Sequence, residues 1–296
     1  MALGCGPPGP YGRAPGGRPP GASEDDVVTE DSSVRQPLPV GLIGYGAIGR
    51  DVLRLLEAGK APDVRLVGVF TRDEGAASLP PADLLCLDFE ALLARAPRLV
   101  IEAAGAEVLA RFGPEVLARG IDLLCLSVST LAERDIEAAL DRAAETGGGK
   151  ILVPSGAIAG LDAISAAASE GFDRVTLIQR KPPAALLEPA EAVKVTAEQV
   201  LYDGTARDTA LRFPRNSNIA AAFALAGAGF DRTRVQVIAD PAVSRNTVEL
   251  HAKGPFGELR VELANVPSIN PKTSKLTALS VIASLRRYST RRVVPA

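Results

Sequence analysis

Apolar positions along this chain follow two different rules. Between Val40 and Pro154, short unbroken apolar runs alternate with amphipathic stretches. Runs at Val40–Ile43, Arg65–Phe70, Leu99–Ala103, Asp122–Ser127 and Lys150–Val153 predict strands. Ile48–Ala58, Leu87–Arg95, Glu107–Arg119 and Leu131–Thr146 predict helices, the third interrupted near Gly113-Pro114. Strands with no polar face, separated by helices, are those of a parallel sheet covered on both sides. Such a sheet binds ligands beyond the carboxyl ends of its strands.

After Gly160 the rule changes. Arg174–Gln179, Ala192–Val195, Arg234–Ala239, Asn246–Ala252 and Glu258–Leu263 predict strands, several of them alternating apolar with polar residues. Alternation marks a mostly antiparallel sheet with one covered face. Leu161–Glu170, Asn218–Gly227 and Lys275–Arg287 predict helices, the last packing back on the first sheet. The expected class is α/β: a Rossmann-type parallel-sheet dinucleotide-binding domain, with a second α+β domain whose sheet is mostly antiparallel. Residues 37–154 form the first, completed by a C-terminal helix at 272–296, and 155–271 form a substrate and oligomerisation domain. Residues 1–36, Gly/Pro-rich and then acidic, are expected to be a disordered extension, because such a segment buries too little apolar surface to offset its ordering entropy.

The first strand runs into Gly44-Tyr45-Gly46-Ala47-Ile48-Gly49 and then a helix. Gly44 permits a tight turn, Gly46 lets backbone approach a pyrophosphate, and Gly49 lets helix pack on strand. The helix start then offers free N–H groups to phosphate. In a chain with 28 glycines the spacing alone is weak, and the strand before and helix after are what make it specific. Gly44, Gly46, Ala47, Ile48 and Gly49 are thus candidate cofactor residues, with Ala104 and Gly105 at the end of the third long strand. Strand two ends at Thr71-Arg72 with no acid at its tip, so either residue can hold a 2′-phosphate. NAD or NADP is the expected cofactor, with Arg72 as phosphate ligand, adenine stack or exposed side chain.

Charge adds exclusions. A formal net charge of -2 gives no electrostatic basis for nucleic acid or an acidic membrane surface. No apolar run approaches the ~20 residues that span a bilayer. Cys5, Cys86 and Cys125 have no metal-ligand spacing, and the last two sit among apolar residues. No metal is expected, and a reducing cytosol fits.

Seven blocks of sequence carry a resemblance. They are Gly41–Gly49, Ile101-Glu102-Ala103-Ala104-Gly105, Val153-Pro154-Ser155-Gly156-Ala157-Ile158, Arg180-Lys181-Pro182-Pro183, Phe213–Ala220, Ala239–Asn246 and Asn270-Pro271-Lys272-Thr273-Ser274. Together they resemble the L-aspartate dehydrogenase family from about Val40 to Arg287. The resemblance implies a cytoplasmic NAD(P)-dependent enzyme, a homodimer or higher homo-oligomer, interconverting L-aspartate with iminoaspartate or with oxaloacetate plus ammonia. It implies a link to NAD synthesis, and Ala157 and Asn218 against the cofactor. Asn218 also opens a predicted helix, where Asn is equally a cap. A small dicarboxylate or amino-acid substrate needs cations, for which Arg180, Lys181 and Lys272 are candidates.

One position departs from the family. Its catalytic histidine lies in Asn-x-His-Glu, and this chain has Asn246-Thr247-Val248-Glu249. Valine transfers no proton. The single histidine, His251, is three positions on and therefore on the opposite face of a regular strand, unless a bulge turns it inward. Two further readings stand beside an impaired aspartate dehydrogenase. One is a cofactor-binding sensor or interaction protein. The other is an NAD(P)H-dependent imine or dicarboxylate reductase that needs no histidine.

Overall fold

The computed structural model describes residues 36–71, 79–268 and 273–290, so Arg72, Lys272 and the predicted extension, but for Gln36, lie outside the described residues. The chain from Gln36 onward is one compact unit. Its first sheet contains β1 (Leu38–Ile43), β2 (Val64–Phe70), β3 (Leu85–Cys86), β4 (Leu99–Glu102), β5 (Asp122–Cys125) and β6 (Ile151–Leu152). Their order is β3-β2-β1-β4-β5-β6, with every pairing parallel. The chain builds outward from β1 in one direction, then crosses over and builds in the other. The loops after β1 and β4 therefore diverge and open a crevice between them.

Both faces of this sheet are covered, which is why its strands read as unbroken apolar runs. Val40, Leu42, Leu99 and Ile101 face α1 (Ala47–Glu57) and α9 (Lys275–Ser289). Ile43, Val100, Leu123 and Cys125 face α2 (Phe89–Leu93) and α3 (Ala106–Ala118). Helix α9 packs on α1 through Ala278, Val281, Ile282 and Leu285, the i, i+3, i+4, i+7 stripe. A further tie runs through Asp122, whose carboxylate accepts from Tyr288 Oη at 2.6 Å and from the Lys150 N–H at 2.7 Å. The start of β1 and the end of α9 meet one loop: the Leu38 N–H donates to Asp63, and Asp63 lines a surface depression with Ser289 and Thr290.

Helix α3 runs unbroken through Gly113-Pro114, against expectation. Gly113 is pressed against α4 (Arg134–Gly147), where an added Cβ would lie 2.7 Å from Leu140 Cδ2, so close helix packing outweighs the lost proline hydrogen bond. The predicted helix at Leu131–Thr146 is a buried 3₁₀ turn, Val128–Ala132, followed by α4.

The second sheet holds β7 (Arg174–Lys181), β8 (Gln199–Thr205), β9 (Arg234–Ala239), β10 (Thr247–Gly254) and β11 (Gly257–Ala264), in the order β11-β10-β7-β9-β8. Three pairings are antiparallel and β7–β9 is parallel. Its buried face packs on α5 (Leu161–Ala167) and α8 (Asn218–Ala226). The strand expected at Ala192–Val195 does not form. A short helix, α6 (Pro189–Ala192), with proline in its first turn, ends there instead. The edge strand is instead β8, whose alternation is broken by a register shift between Val200 and Tyr202. An unforeseen helix, α7 (Ala206–Arg212), follows directly, its first turn capped by Thr205.

Tyr288→Phe should cost about 1.5–3 kcal/mol, the scale of one hydrogen bond to a charged acceptor. Urea unfolding should show a lower midpoint at unchanged slope. An unchanged midpoint would show that the Asp122 tie does not hold α9 to the sheet.

Candidate active site

A groove crosses the carboxyl ends of the first sheet at its switch point. It begins at Thr71 on the tip of β2, passes Gly44, Tyr45 and Gly46, and continues along Ala103, Ala104 and Gly105. Gly44 has φ +98°, and a Cβ there would lie 2.7 Å from the Ala103 carbonyl oxygen. An added Cβ at Gly49 would lie 2.3 Å from the Gly44 carbonyl oxygen. Those two glycines close the turn. Gly46 differs: nothing lies within 4 Å of its Cβ position. It begins α1, which has no side-chain cap and no acid in its first turn. The turn therefore leaves open space in front of uncapped N–H groups, the setting a pyrophosphate requires. Ala47 and Ile48 follow in that first turn, and Ile48 lines the groove where it deepens.

One buried acid and one half-buried amide shape the groove. Glu102 ends β4, is 1% exposed, and accepts four hydrogen bonds. Oε1 takes the N–H groups of Ala104 and Gly105, each at 2.8 Å, and Ser127 Oγ at 2.9 Å. Oε2 takes the Ser127 N–H at 3.0 Å. Further along, Asn218 Oδ1 accepts from the Ser129 N–H at 2.9 Å. The N-cap of α8 is Ser217, so Asn218 is not the cap. Its Nδ2 has no partner among the described residues and can donate to a nicotinamide carboxamide.

Beyond Asn218 the groove enters a cavity between the two sheets. Its walls include Ala157, Lys181, Asn216, Asn246, Val248 and Asn265. Asn265 Nδ2 donates to the Ala157 carbonyl at 3.1 Å, and Ser274 Oγ donates to Asn265 Oδ1 at 2.9 Å. The start of α9 is thereby tied to the loop that carries Ala157.

Strand periodicity sorts the remaining candidates. Val248 is 2% exposed and faces the cavity. The pairing of β10 with both neighbours runs without a shift, so no bulge turns His251 inward. His251 lies on the other face, with a side chain 39% exposed and near Glu249. Arg180 is also on that face. It pairs with Glu198, with Asp240 at 3.5 Å and with Glu249 at 3.4 Å, and so is not brought to the cavity. Lys181, one residue on, is. It is 7% exposed, and its Nζ donates to Asn216 Oδ1 at 3.1 Å. Burial with no carboxylate partner lowers its pKa from 10.5 to about 8. Gln179, directly opposite Val248, is 1% exposed, and its Nε2 has no partner among the described residues.

Sequence reasoning did not single out Glu102, Asn216, Gln179 or Asn265. Glu102 had a visible signal, an acid ending an apolar strand. The others are polar residues whose burial depends on contacts distant in sequence.

A parallel sheet, an open glycine turn at its switch point and a cavity adjoining that groove define an NAD(P)-dependent oxidoreductase. Two family descriptions match: "Homoserine dehydrogenase, NAD binding domain" over residues 44–154, and "Aspartate dehydrogenase, C-terminal" over residues 162–288. L-aspartate dehydrogenase 2 of Bordetella pertussis is 42% identical over 262 residues, covering 85% of this chain and 97% of its own. L-aspartate dehydrogenase of Methanosarcina mazei is 36% identical over 263 residues, covering 84% and 96%. The aspartate dehydrogenase structure from Thermotoga maritima shares the fold, with TM-score 0.71 at 23% identity over 87% of this chain and 99% of that one. The chain belongs to the L-aspartate dehydrogenase family.

Two predictions follow from this geometry. Gly46→Val should fold normally and lose NAD(P)H binding in calorimetric titration, whereas Gly44→Ala should lose stability itself. Undiminished affinity in Gly46→Val would remove the pyrophosphate from this turn. For Lys181, an unfolded lysine keeps its proton up to about pH 10.5, the folded one only to about 8. Its buried charge therefore costs about 3 kcal/mol below pH 8, and the cost fades as pH rises toward 10.5. Lys181→Met should raise stability at pH 7 by about 1–3 kcal/mol, a gain that shrinks by pH 10. Denaturation at both pH values measures it, and equal stability at pH 7 contradicts it.

Proposed function

We propose that this chain interconverts L-aspartate with iminoaspartate, or with oxaloacetate plus ammonia, and that Val248 holds its rate down. The carrying observation is the cavity wall: Asn216, Asn218 and Asn246 line it with neutral amides, and Val248 lines it at the position where the family resemblance implies a histidine. NAD or NADP supplies a hydride acceptor at the nicotinamide ring. Ala157 is small enough to let that ring approach the substrate. Asn218 orients the carboxamide, and the amides of Asn216 and Asn246 offer neutral donors to substrate carboxylates. Within this reading, residues 37–154 with 272–296 bind the cofactor and 155–271 hold substrate and partner subunit. Family membership supports a homodimer or larger homo-oligomer in the cytoplasm. Among the described residues, no helix is long and apolar enough to cross a membrane.

A positioned general base contributes about 10²–10⁴-fold to such a reaction. Wild-type turnover on L-aspartate should thus be low. Val248→His should raise kcat by about 10²-fold or more with cofactor affinity unchanged. The partnerless Gln179 amide beneath residue 248 gives the new imidazole a hydrogen-bond donor to orient it. His251→Ala should leave activity as it was. An NAD(P)H-linked assay, run with aspartate and with oxaloacetate plus ammonia, measures all three. If Val248→His gains nothing and aspartate never binds, a cofactor-binding relative without aspartate chemistry, or a reductase of another imine, takes this reading's place.

A further inference from the structure

Oxidising an α-amino acid demands a proton acceptor. The substrate nitrogen arrives as ammonium and has no lone pair to form C=N until it loses a proton. Among the described residues, Lys181 is the one ionisable side chain lining the cavity between the sheets. Its strand position is informative. Val248 lies opposite Gln179, and Thr247 lies opposite Arg180. Lys181 and Val248 are therefore diagonal neighbours on one buried face, about 7 Å apart at the backbone. A lysine stem spans that distance, so Nζ can reach the region an imidazole at position 248 would serve.

We propose that Lys181 is the residual proton acceptor of this enzyme, a catalytic residue on β7 that serves, less effectively, the step the family's histidine serves from β10. The proposal rests on the aspartate reading above. In the step assigned to it, neutral Nζ takes a proton from the α-ammonium group. The freed nitrogen lone pair forms the C=N bond as the Cα hydrogen departs with both bonding electrons to NAD(P)+. The amino acid is oxidised and the cofactor reduced. Water then adds to the iminium carbon, its two protons pass to the departing nitrogen, and ammonium and oxaloacetate result. Lysine returns its proton to solvent.

The surroundings suit a neutral amine. Arg180, on the same strand, is turned to the opposite face with Glu198, Asp240 and Glu249. Asp240, just past β9, also accepts the Ala242 N–H at 2.8 Å. From β10, Glu249 and His251 both lie on that opposite face. Helix α8 has no ionisable residue, and the turn before it offers Asn216. From the β11–α9 side come Asn265 and Ser274, both uncharged. Burial without counter-charge keeps the pKa at about 8, so the free amine is populated near neutral pH.

The test uses the full chain with L-aspartate and NAD+ or NADP+ between pH 6 and 10. Wild-type kcat should rise with pH and level off above about 8. Lys181→Arg keeps a cation but cannot deprotonate. It should lower kcat by about 10²-fold or more, with KM for aspartate within about threefold. Lys181→Ala, checked as folded by NAD(P)H titration, should regain activity when ethylamine is added. With Val248→His present, the loss caused by Lys181→Arg should shrink to under about fivefold, since two bases in one site are not additive. A Lys181→Arg enzyme with normal kcat and raised KM would make Lys181 a carboxylate binder and overturn the proposal. A folded Lys181→Ala that ethylamine does not restore would overturn it too. Wild type without any turnover of aspartate would overturn the aspartate reading as well, whereas an active wild type with an active Lys181→Arg removes the lysine alone.

Discussion

The Glu102 carboxylate is the constraint on which the rest of the site depends. A buried carboxyl group is costly unless its acceptor sites find donors. Here four donors converge on it, from the loop after β4 and the loop after β5. Those two loops form the deep half of the cofactor groove. The effect is transmitted onward through short polar links. Ser127 is held by Glu102, and two residues later Ser129 donates its N–H to Asn218 and its hydroxyl to the Pro214 carbonyl. Pro214 begins the turn that carries Asn216, which holds Lys181. Hydrogen bonds joined by short backbone segments thus run from the carboxyl end of β4 in the first sheet to the buried face of the second.

Polar groups in and beside this cavity are arranged at the expense of stability. Lys181 is buried without a counter-charge, and Gln179 keeps an amide donor with no partner among the described residues. Each is a destabilising feature of a kind that concentrates where a site must receive something polar. Around them the walls are apolar or neutral, so among the described lining residues Lys181 is the one ionisable group.

Much of the fold was legible because burial leaves a simple trace. β1 and β4 are covered on both faces and show unbroken apolar runs; β10 is covered on one face and alternates, which also placed His251 opposite Val248. Legibility failed where tertiary contacts outweigh local preference. The Gly113-Pro114 pair looks like a break, yet packing on Leu140 keeps the helix whole. β8 is an edge strand with a register shift, so its pattern carries little burial signal. At the site, the glycine turn and Val248 could be read directly. Glu102, Gln179 and Asn265 could not, because an acid or amide acquires its role only when distant loops enclose it. Arg180 and Lys181 were equal candidates in sequence, and only the pleat of β7 separates them.

Both ends of the folded unit meet the Asp63 loop, at the amino-terminal edge of the parallel sheet and away from the groove. The path from β1 to α9 is accordingly almost a closed ring, with its seam remote from the chemistry. A short polar linker across that seam, with new ends opened in an exposed loop, would give a circular permutant whose cofactor groove and cavity are built from the same contacts in a different chain order. Chain continuity at the seam is thus separable from the architecture of the site.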